Sequence, residues 1–98
     1  MNTTITCRHG DHTSAIDEYI QKKTERLPRF YDQIIAIEII LDHQKASHRV
    51  EMIISLDHGD PMICHADDDD LYAAIDHCSD RAVRQLTDLK SRIRDDHH

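Results

Sequence analysis

One amphipathic segment, between residues 71 and 94, constrains the fold of this chain more than any other part of the sequence. Its apolar residues recur at steps of four and three: Leu71, Ile75, Cys78, Ala82, Leu86, Leu89 and Ile93. This spacing lines one side of an α-helix, and no Gly or Pro interrupts it. A helix of roughly 24 residues, about 36 Å long, is therefore predicted. Because only one stripe is apolar, the remaining residues must supply a layer that covers it.

The segments before this helix predict a β-sheet. Residues 3–7 are rich in β-branched side chains and predict a first strand. Residues 34–41, IIAIEIIL, predict a second strand in which alternate residues share one face: Ile35, Ile37, Ile39 and Leu41. Residues 48–56 alternate in the same way and form a hairpin with the second strand, and residues 61–66 follow the turn DHGD as a fourth strand.

A shorter helix is predicted between the first two strands. Thr13 or Ser14 caps its start, and Pro28 ends it. Its apolar stripe consists of Ile16, Tyr19, Ile20 and Leu27. The predicted order of elements is therefore β-α-β-β-β-α.

This order predicts an α+β fold, a two-layer sandwich with a four-stranded mixed sheet. The first two strands are separated by a helix and are expected to run parallel through a right-handed crossover, whereas strands two to four form an antiparallel meander. Each helix has a single apolar stripe, so both are expected on one face of the sheet. With 98 residues and no linker, the chain is expected to form a single domain, residues 1–98.

The composition favours a folded cytoplasmic protein. Hydrophobic residues make up 39% and charged residues 32%, which argues against disorder. No apolar run approaches the about 20 residues needed to span a bilayer, and a signal peptide is not recognisable. The three widely spaced cysteines, Cys7, Cys64 and Cys78, predict reduced thiols in the core, and no cofactor is expected. His97 and His98 resemble part of an expression tag.

Four consecutive aspartates, in the stretch ADDDDLYAAID at residues 66–76, precede the long helix. A helix start has N–H groups without acceptors and a positive dipole, so this run predicts an Asp cap followed by an acidic first turn. A Mg²⁺ or Ca²⁺ site needs oxygen ligands that converge, and the run lacks the DxDxDG spacing of an EF-hand loop. No nucleophile or phosphate-binding glycine loop lies nearby. Neither a metal site nor an enzyme is predicted.

The net charge of −7 does not exclude a nucleic-acid partner, because the basic residues are concentrated in two blocks. Nine of the 12 Lys and Arg residues fall within residues 22–29 and 81–94. Two interpretations are open: solvated helix faces, or two basic ridges that bind phosphates. In the second, Asp88 lies in the middle of a ridge, four residues after Arg84 and four before Arg92.

Residues 67–86, DDDDLYAAIDHCSDRAVRQL, resemble the signature of the bacterial ribosome hibernation-promoting factors, also called the ribosome-associated inhibitor or sigma-factor modulation family. Residues 7–9 are similar to the Gly-Arg-His that follows the first strand in this family, and residues 13–32 are similar to its first helix. Three further matches lie in the second hairpin: Lys45, His48 and Glu51. The sequence departs from the family where members usually carry Lys or Arg, at Ser47, Thr87 and Asp88.

The resemblance implies a fold similar to double-stranded RNA-binding domains and a place in the decoding channel of the small ribosomal subunit, against 16S rRNA and ribosomal proteins. There the protein would block mRNA and tRNA in stationary phase, and short members favour ribosome dimers together with a small basic ribosome modulation factor. Carried over position by position, the candidate RNA contacts are Lys22, Lys23, Arg26, Arg29, Arg81, Arg84, Lys90 and Arg92. Arg8 and Lys45 are secondary candidates for RNA contacts.

The sequence thus predicts a ribosome hibernation factor that acts by occupancy, makes or breaks no bond, and is a monomer when free. Two alternatives are open. One is a protein-interaction module that regulates transcription through an open sheet face around Ile40 and Ile53. The other is a metal-responsive or catalytic domain that uses His and Asp side chains.

Overall fold

The computed structural model describes residues 1–9 and 12–95, so His97 and His98 lie outside the described residues. Two helices, four strands and one short 3₁₀ turn follow one another along the chain. They are β1 (Asn2–Cys7), α1 (Ser14–Glu25), the 3₁₀ turn (Leu27–Arg29), β2 (Ile34–Gln44), β3 (Ser47–Leu56), β4 (Met62–Asp68) and α2 (Leu71–Asp95). The predicted α+β class and the order β-α-β-β-β-α are confirmed.

The four strands form one sheet in the order β1-β2-β3-β4, so β1 and β4 are its edges. β1 runs parallel to β2, whereas β2, β3 and β4 are antiparallel. The register aligns core-facing side chains across all four strands, in the row Ile5, Ile39, Met52 and Cys64. The predicted parallel pairing of β1 with β2 and the antiparallel meander are therefore confirmed.

Both helices cover the same face of the sheet and enclose one core. The helices contribute Ile16, Ile20, Ala74, Ile75, Cys78, Ala82 and Leu86. The sheet contributes Ile37, Ile39, Leu41, Val50, Met52, Ile54, Cys64 and Ala66. Removing such side chains from water stabilises the fold by about 25 cal/mol per Å² of apolar surface. The opposite face of the sheet has no covering layer among the described residues, and Ile63 there is 53% exposed.

The start of β2 differs from the alternation that the sequence predicts. Ile35 was expected on the core face, but its side chain is 54% exposed, while Ile34 packs against the core. The register between β2 and β3 shifts between Ile34 and Ala36, where two steps along β2 oppose one step along β3. Such a bulge adds one unpaired residue and reverses the alternation before it, which accounts for the wrong prediction.

The β2–β3 hairpin is longer than the sequence predicts. Pairing continues to Gln44 and Ser47, and the rings of His43 and His48 stack across the ladder with 4.2 Å between centroids. Only Lys45 and Ala46 remain for the turn, and Lys45 has φ +57°. Two-residue hairpin turns that match the twist of the strands need this left-handed conformation.

The helices begin and end close to the predicted positions. Thr13 is the N-cap of α1, and its side chain accepts a hydrogen bond from the N–H of Ile16 at 3.2 Å. In α2 the predicted stripe is buried at its centre, whereas Ile93 near the end is 38% exposed. Neither helix in the described part of the chain is long and apolar enough to cross a membrane.

Candidate nucleic-acid interface

The basic side chains of α1 and the 3₁₀ turn lie in two environments. Lys22, Arg26 and Arg29 are exposed, and they form no ion pair with a carboxylate among residues 1–9 and 12–93. Lys23 differs, because its Nζ lies 3.1 Å from Asp76 Oδ1 on α2. Three of the four predicted residues of this block are therefore available to an external anion.

Tyr19, Lys23 and Asp76 form a polar bridge between α1 and α2. Tyr19 Oη donates a hydrogen bond to Asp76 Oδ1 at 2.5 Å, and the Lys23 ammonium lies 5.4 Å from the centroid of the Tyr19 ring. Tyr72 meets Tyr19 edge to face, with 4.9 Å between ring centroids. These contacts fix the two helices relative to each other, and with them the basic residues that the helices carry.

The bridge also shifts the pKa values of Tyr19 and Asp76. The hydrogen bond to Asp76, together with burial and the nearby negative charge, raises the pKa of Tyr19 to about 12. In return, the hydrogen bond from Tyr19 lowers the pKa of Asp76, and Lys23 acts in the same direction. The ionised carboxylate and the neutral phenol are therefore the stable pair.

Arg81 and Arg92 lie on the flank of α2 that faces the edge of the sheet. Arg81 Nη1 donates a hydrogen bond to the backbone carbonyl of His65 in β4. Arg92 follows about three helical turns later and is exposed on the same flank. Asp88 is also exposed there, between Arg84 and Arg92 as the spacing predicts.

Arg84 and Lys90 occupy the other exposed sides of α2. Arg84 lies midway between the buried residues Ala82 and Leu86, so it points away from the core. Lys90 follows Asp76 by about four turns and lies on the side of α1. The basic side chains of α2 are thus distributed around its exposed surface, and the flank of Arg81 faces away from α1.

Arg8 and Lys45 lie apart from the helices, at the hairpin end of the sheet. Arg8 Nη1 is 3.9 Å from Asp42 Oδ2, and His9 Nδ1 is 2.5 Å from Asp42 Oδ1. The hydrogen bond with His9 lowers the pKa of Asp42, which keeps this carboxylate ionised beside Arg8. Lys45 is exposed in the turn. The two residues therefore belong to a separate, partly neutralised patch.

The aspartate run has a structural explanation for three of its four members. Asp70 caps α2, since its Oδ1 accepts a hydrogen bond from the N–H of Tyr72 at 3.0 Å. Asp68 Oδ1 accepts from the N–H of Asp70 at 2.9 Å, and Asp67 pairs with Arg49 at 3.2 Å. The helix start is confirmed, but the expected acidic first turn is not present, because β4 extends through Asp68.

The cysteines are free thiols, as predicted. Cys64 and Cys78 are buried with 3.8 Å between their Sγ atoms, and the hydrogen bond between them together with burial raises the pKa of Cys78. Within residues 1–9 and 12–93, no three His, Cys, Asp or Glu side chains are placed to hold a metal ion.

The bridge between the helices was missed by sequence reasoning. Tyr19 and Lys23 are four residues apart on α1, and Tyr72 and Asp76 are four residues apart on α2, so each pair shares a side of its helix. This spacing was a usable signal for two polar seams. Which seams meet depends on how the helices pack.

Comparison with known proteins identifies the family. The sequence profile described as "Sigma 54 modulation protein / S30EA ribosomal protein" matches residues 3–94. The chain belongs to this family. A relative from Azotobacter vinelandii, named "Ribosome hibernation promoting factor", is 30% identical over 92 residues, which cover 94% of this chain and 85% of the relative. A protein of the same name from Escherichia coli (strain K12) is 29% identical over 94 residues, covering 96% and 98%.

Two solved structures have the same fold as this chain. The N-terminal domain of Thermus thermophilus Protein Y is 32% identical and superposes with a TM-score of 0.82, covering 91% of this chain and 99% of that domain. A ribosomal subunit interface protein from Coxiella burnetii is 27% identical, with a TM-score of 0.86 and coverage of 93% and 99%. The resemblance seen in the sequence is therefore confirmed at the level of family and fold.

Proposed function

We propose that this protein is a ribosome hibernation factor that binds the small ribosomal subunit through the basic side chains of its helix layer. The observation that carries the proposal is the family match over residues 3–94. The names of the relatives support it, because they describe hibernation-promoting and ribosomal subunit interface proteins of nearly the same length.

The distribution of charge indicates which face meets RNA. Residues 14–29 and 71–95, which hold both helices, carry nine Lys and Arg against seven Asp and Glu, whereas the rest of the chain carries three against 12. Phosphate repels the acidic remainder and is attracted to exposed side chains such as Lys22, Arg26 and Arg84. The helix layer is therefore the proposed RNA face.

The proposed mechanism is occupancy of the decoding channel. Contacts to phosphates place a folded domain without reading base sequence, which suits a partner recognised by its shape. The bulk of the domain then excludes mRNA and tRNA in stationary phase, and cooperation with a small basic modulation factor would favour ribosome dimers. No bond is made or broken in this mechanism, so no catalytic residue and no cofactor are proposed.

Charge reversals on the two faces test this proposal. Arg26→Glu and Arg84→Glu remove exposed cations of the helix layer, and both should weaken binding to purified small subunits. Each should lower the steepness of log K against log salt by a little under one unit, about the value of one phosphate contact.

Arg49→Glu is the matched control, because it makes the same charge change on the open face of the sheet, where Arg49 pairs with Asp67. It should leave the salt dependence nearly unchanged. Equal effects of all three variants would show a response to net charge alone and would contradict the assignment of the RNA face.

Regulation of transcription is the second candidate function. The family description names modulation of sigma 54, and the open sheet face presents Ile63 beside the partly buried Ile53. Under this alternative the protein would co-purify with RNA polymerase rather than with ribosomal fractions. Charge reversal on the helices would then leave its binding to the polymerase unchanged.

A further inference from the structure

A groove lies beside the last turns of α2, away from the bridge between the helices. Its walls are the end of α2, the turn between β3 and β4, and the segment that follows the 3₁₀ turn. It is open to solvent and has a volume of about 980 Å³. This is large enough for several side chains of a partner, whereas a single ion would leave most of it empty.

The floor of the groove is apolar and incompletely covered. Five side chains form it, namely Tyr31, Leu56, Met62, Leu89 and Ile93. Tyr31, Leu56 and Met62 are partly buried against the core, Leu89 is partly buried, and Ile93 is 38% exposed. These five side chains line one concave surface, and a concave apolar surface with polar groups at its edge is a common form of binding site.

The rim of the groove is acidic. Asp57, Asp60 and Asp88 line it, and Arg92 is its one Lys or Arg residue among the described lining side chains. Asp57 has His58 at 3.8 Å as its ion-pair partner, and the His58 side chain is 92% exposed. Asp60 and Asp88 form no ion pair with any side chain of residues 1–9 or 12–93.

Nearby carboxylates also affect the pKa of Tyr31, which lies in the floor of the groove. Burial raises the pKa of Tyr31, and the charges of Asp57 and Asp32 contribute in the same direction. A phosphate in this groove would meet at least two uncompensated carboxylates, so the groove is a poor site for RNA. An apolar surface surrounded by carboxylates is complementary to apolar side chains flanked by Lys and Arg.

We propose that this groove docks a Lys- and Arg-rich amphipathic segment of a protein partner, at a site that borders the RNA face along α2. The apolar side chains of the segment would cover Leu89 and Ile93, and its cations would pair with Asp57 and Asp60 in the turn. The docking site depends on turn residues that the RNA face does not use. Its presence therefore does not depend on whether the helix layer binds RNA.

The test uses the full chain and a fluorescent synthetic peptide of Lys and Leu with amphipathic helical spacing. Asp57→Asn/Asp60→Asn should weaken peptide binding about fivefold at low salt, the combined effect of two exposed ion pairs. Ile93→Ser should also weaken it. Glu38→Gln/Glu51→Gln is the control with the same charge change on the open sheet face, and its affinity should stay within about twofold.

Amide chemical shifts of the unmodified protein locate the peptide without any substitution. Peptide should shift Gly59 and Leu89, while a double-stranded RNA probe should shift the helix residues around Arg84. The proposal is wrong if the peptide does not bind, if the groove and control variants weaken it equally, or if RNA shifts Gly59 and Leu89 instead. Shifts there that depend on protein concentration alone would identify a second copy as the occupant and would also overturn it.

Discussion

Neighbouring aspartates in this chain perform different tasks although their side chains are identical. Asp67 pairs with Arg49 across the sheet, Asp68 binds the N–H of Asp70, and Asp70 binds the N–H of Tyr72. The difference arises from backbone position, because only Asp70 stands directly before the first residue of α2. The N–H groups of the first helical turn lack acceptors in the helix, and the side chain at the cap position is the one placed to accept from them.

Replacement of the cap should show this difference. Asp70→Ala removes the acceptor for Tyr72 and should lower the free energy of unfolding by about 1 kcal/mol, whereas Asp70→Asn should retain most of it. Asp69→Ala is the control, since Asp69 is exposed and has no side-chain hydrogen bond among the described residues. Urea unfolding measures the three values. A loss for Asp69→Ala as large as that for Asp70→Ala would refute the assignment, and ribosome binding should persist in all three.

At the scale of elements, α1 and α2 are joined by an apolar seam and by one polar bridge. The seam includes Ile20 and Ile75, both almost fully buried. The bridge of Tyr19, Lys23 and Asp76 is partly exposed and joins the sides of the two helices that face each other. A single hydrogen bond to a charged group contributes about 1.5–3 kcal/mol at most, so the bridge orients helices that the core already holds together.

The bridge should make stability depend on alkaline pH. The folded pKa of Tyr19 is raised from 10.0 to about 12, so its contribution is complete below pH 10 and is lost as the pH rises toward 12. Tyr19→Phe lacks this contribution and should be less stable by about 1 kcal/mol near neutral pH. Denaturant titrations of both proteins should show the difference shrinking between pH 10 and 12. A difference that stays constant there would mean that the phenol does not titrate in this bridge.

Regular elements were predictable because local spacing decides them. The stripe from Leu71 to Ile93 requires a helix whatever surrounds it, and the alternation from Val50 to Leu56 requires a strand. The bulge at Ile35 was not predictable, since it depends on how β2 pairs with β3. The candidate RNA residues came from the family resemblance, while their division among the sides of α2 required the packed structure. Contacts between elements carry no short-range sequence signal.

At the scale of the whole molecule, charge is separated between the two layers. The helix layer has a small excess of basic residues, and the acidic residues concentrate in the sheet, its turns and the groove. In the proposed function, a protein with a net charge of −7 would therefore approach RNA through its helix layer. The same separation leaves the acidic groove for partners of opposite charge.

Asp88 stands where these two surfaces meet, so one substitution should act on both with opposite sign. Asp88→Lys removes a carboxylate from the groove rim and adds a cation between Arg84 and Arg92. Binding to small subunits should tighten, with a salt slope steeper by a little under one unit, while the Lys and Leu peptide should bind more weakly. The affinities for small subunits and for the peptide, each measured over a series of salt concentrations, test both expectations. Changes of the same sign would show that one surface serves both ligands.

The hydrogen bond from Arg81 to the carbonyl of His65 also affects how separate copies of the protein meet. β4 is an edge strand, and the free groups of such an edge are a template on which another strand can grow. The Arg81 guanidinium donates a hydrogen bond to one carbonyl of this strand and places a positive charge beside it. Two copies that joined their β4 edges would have to displace both arginines and bring like charges together. A residue proposed to contact phosphate thereby also protects this edge against sheet extension and aggregation.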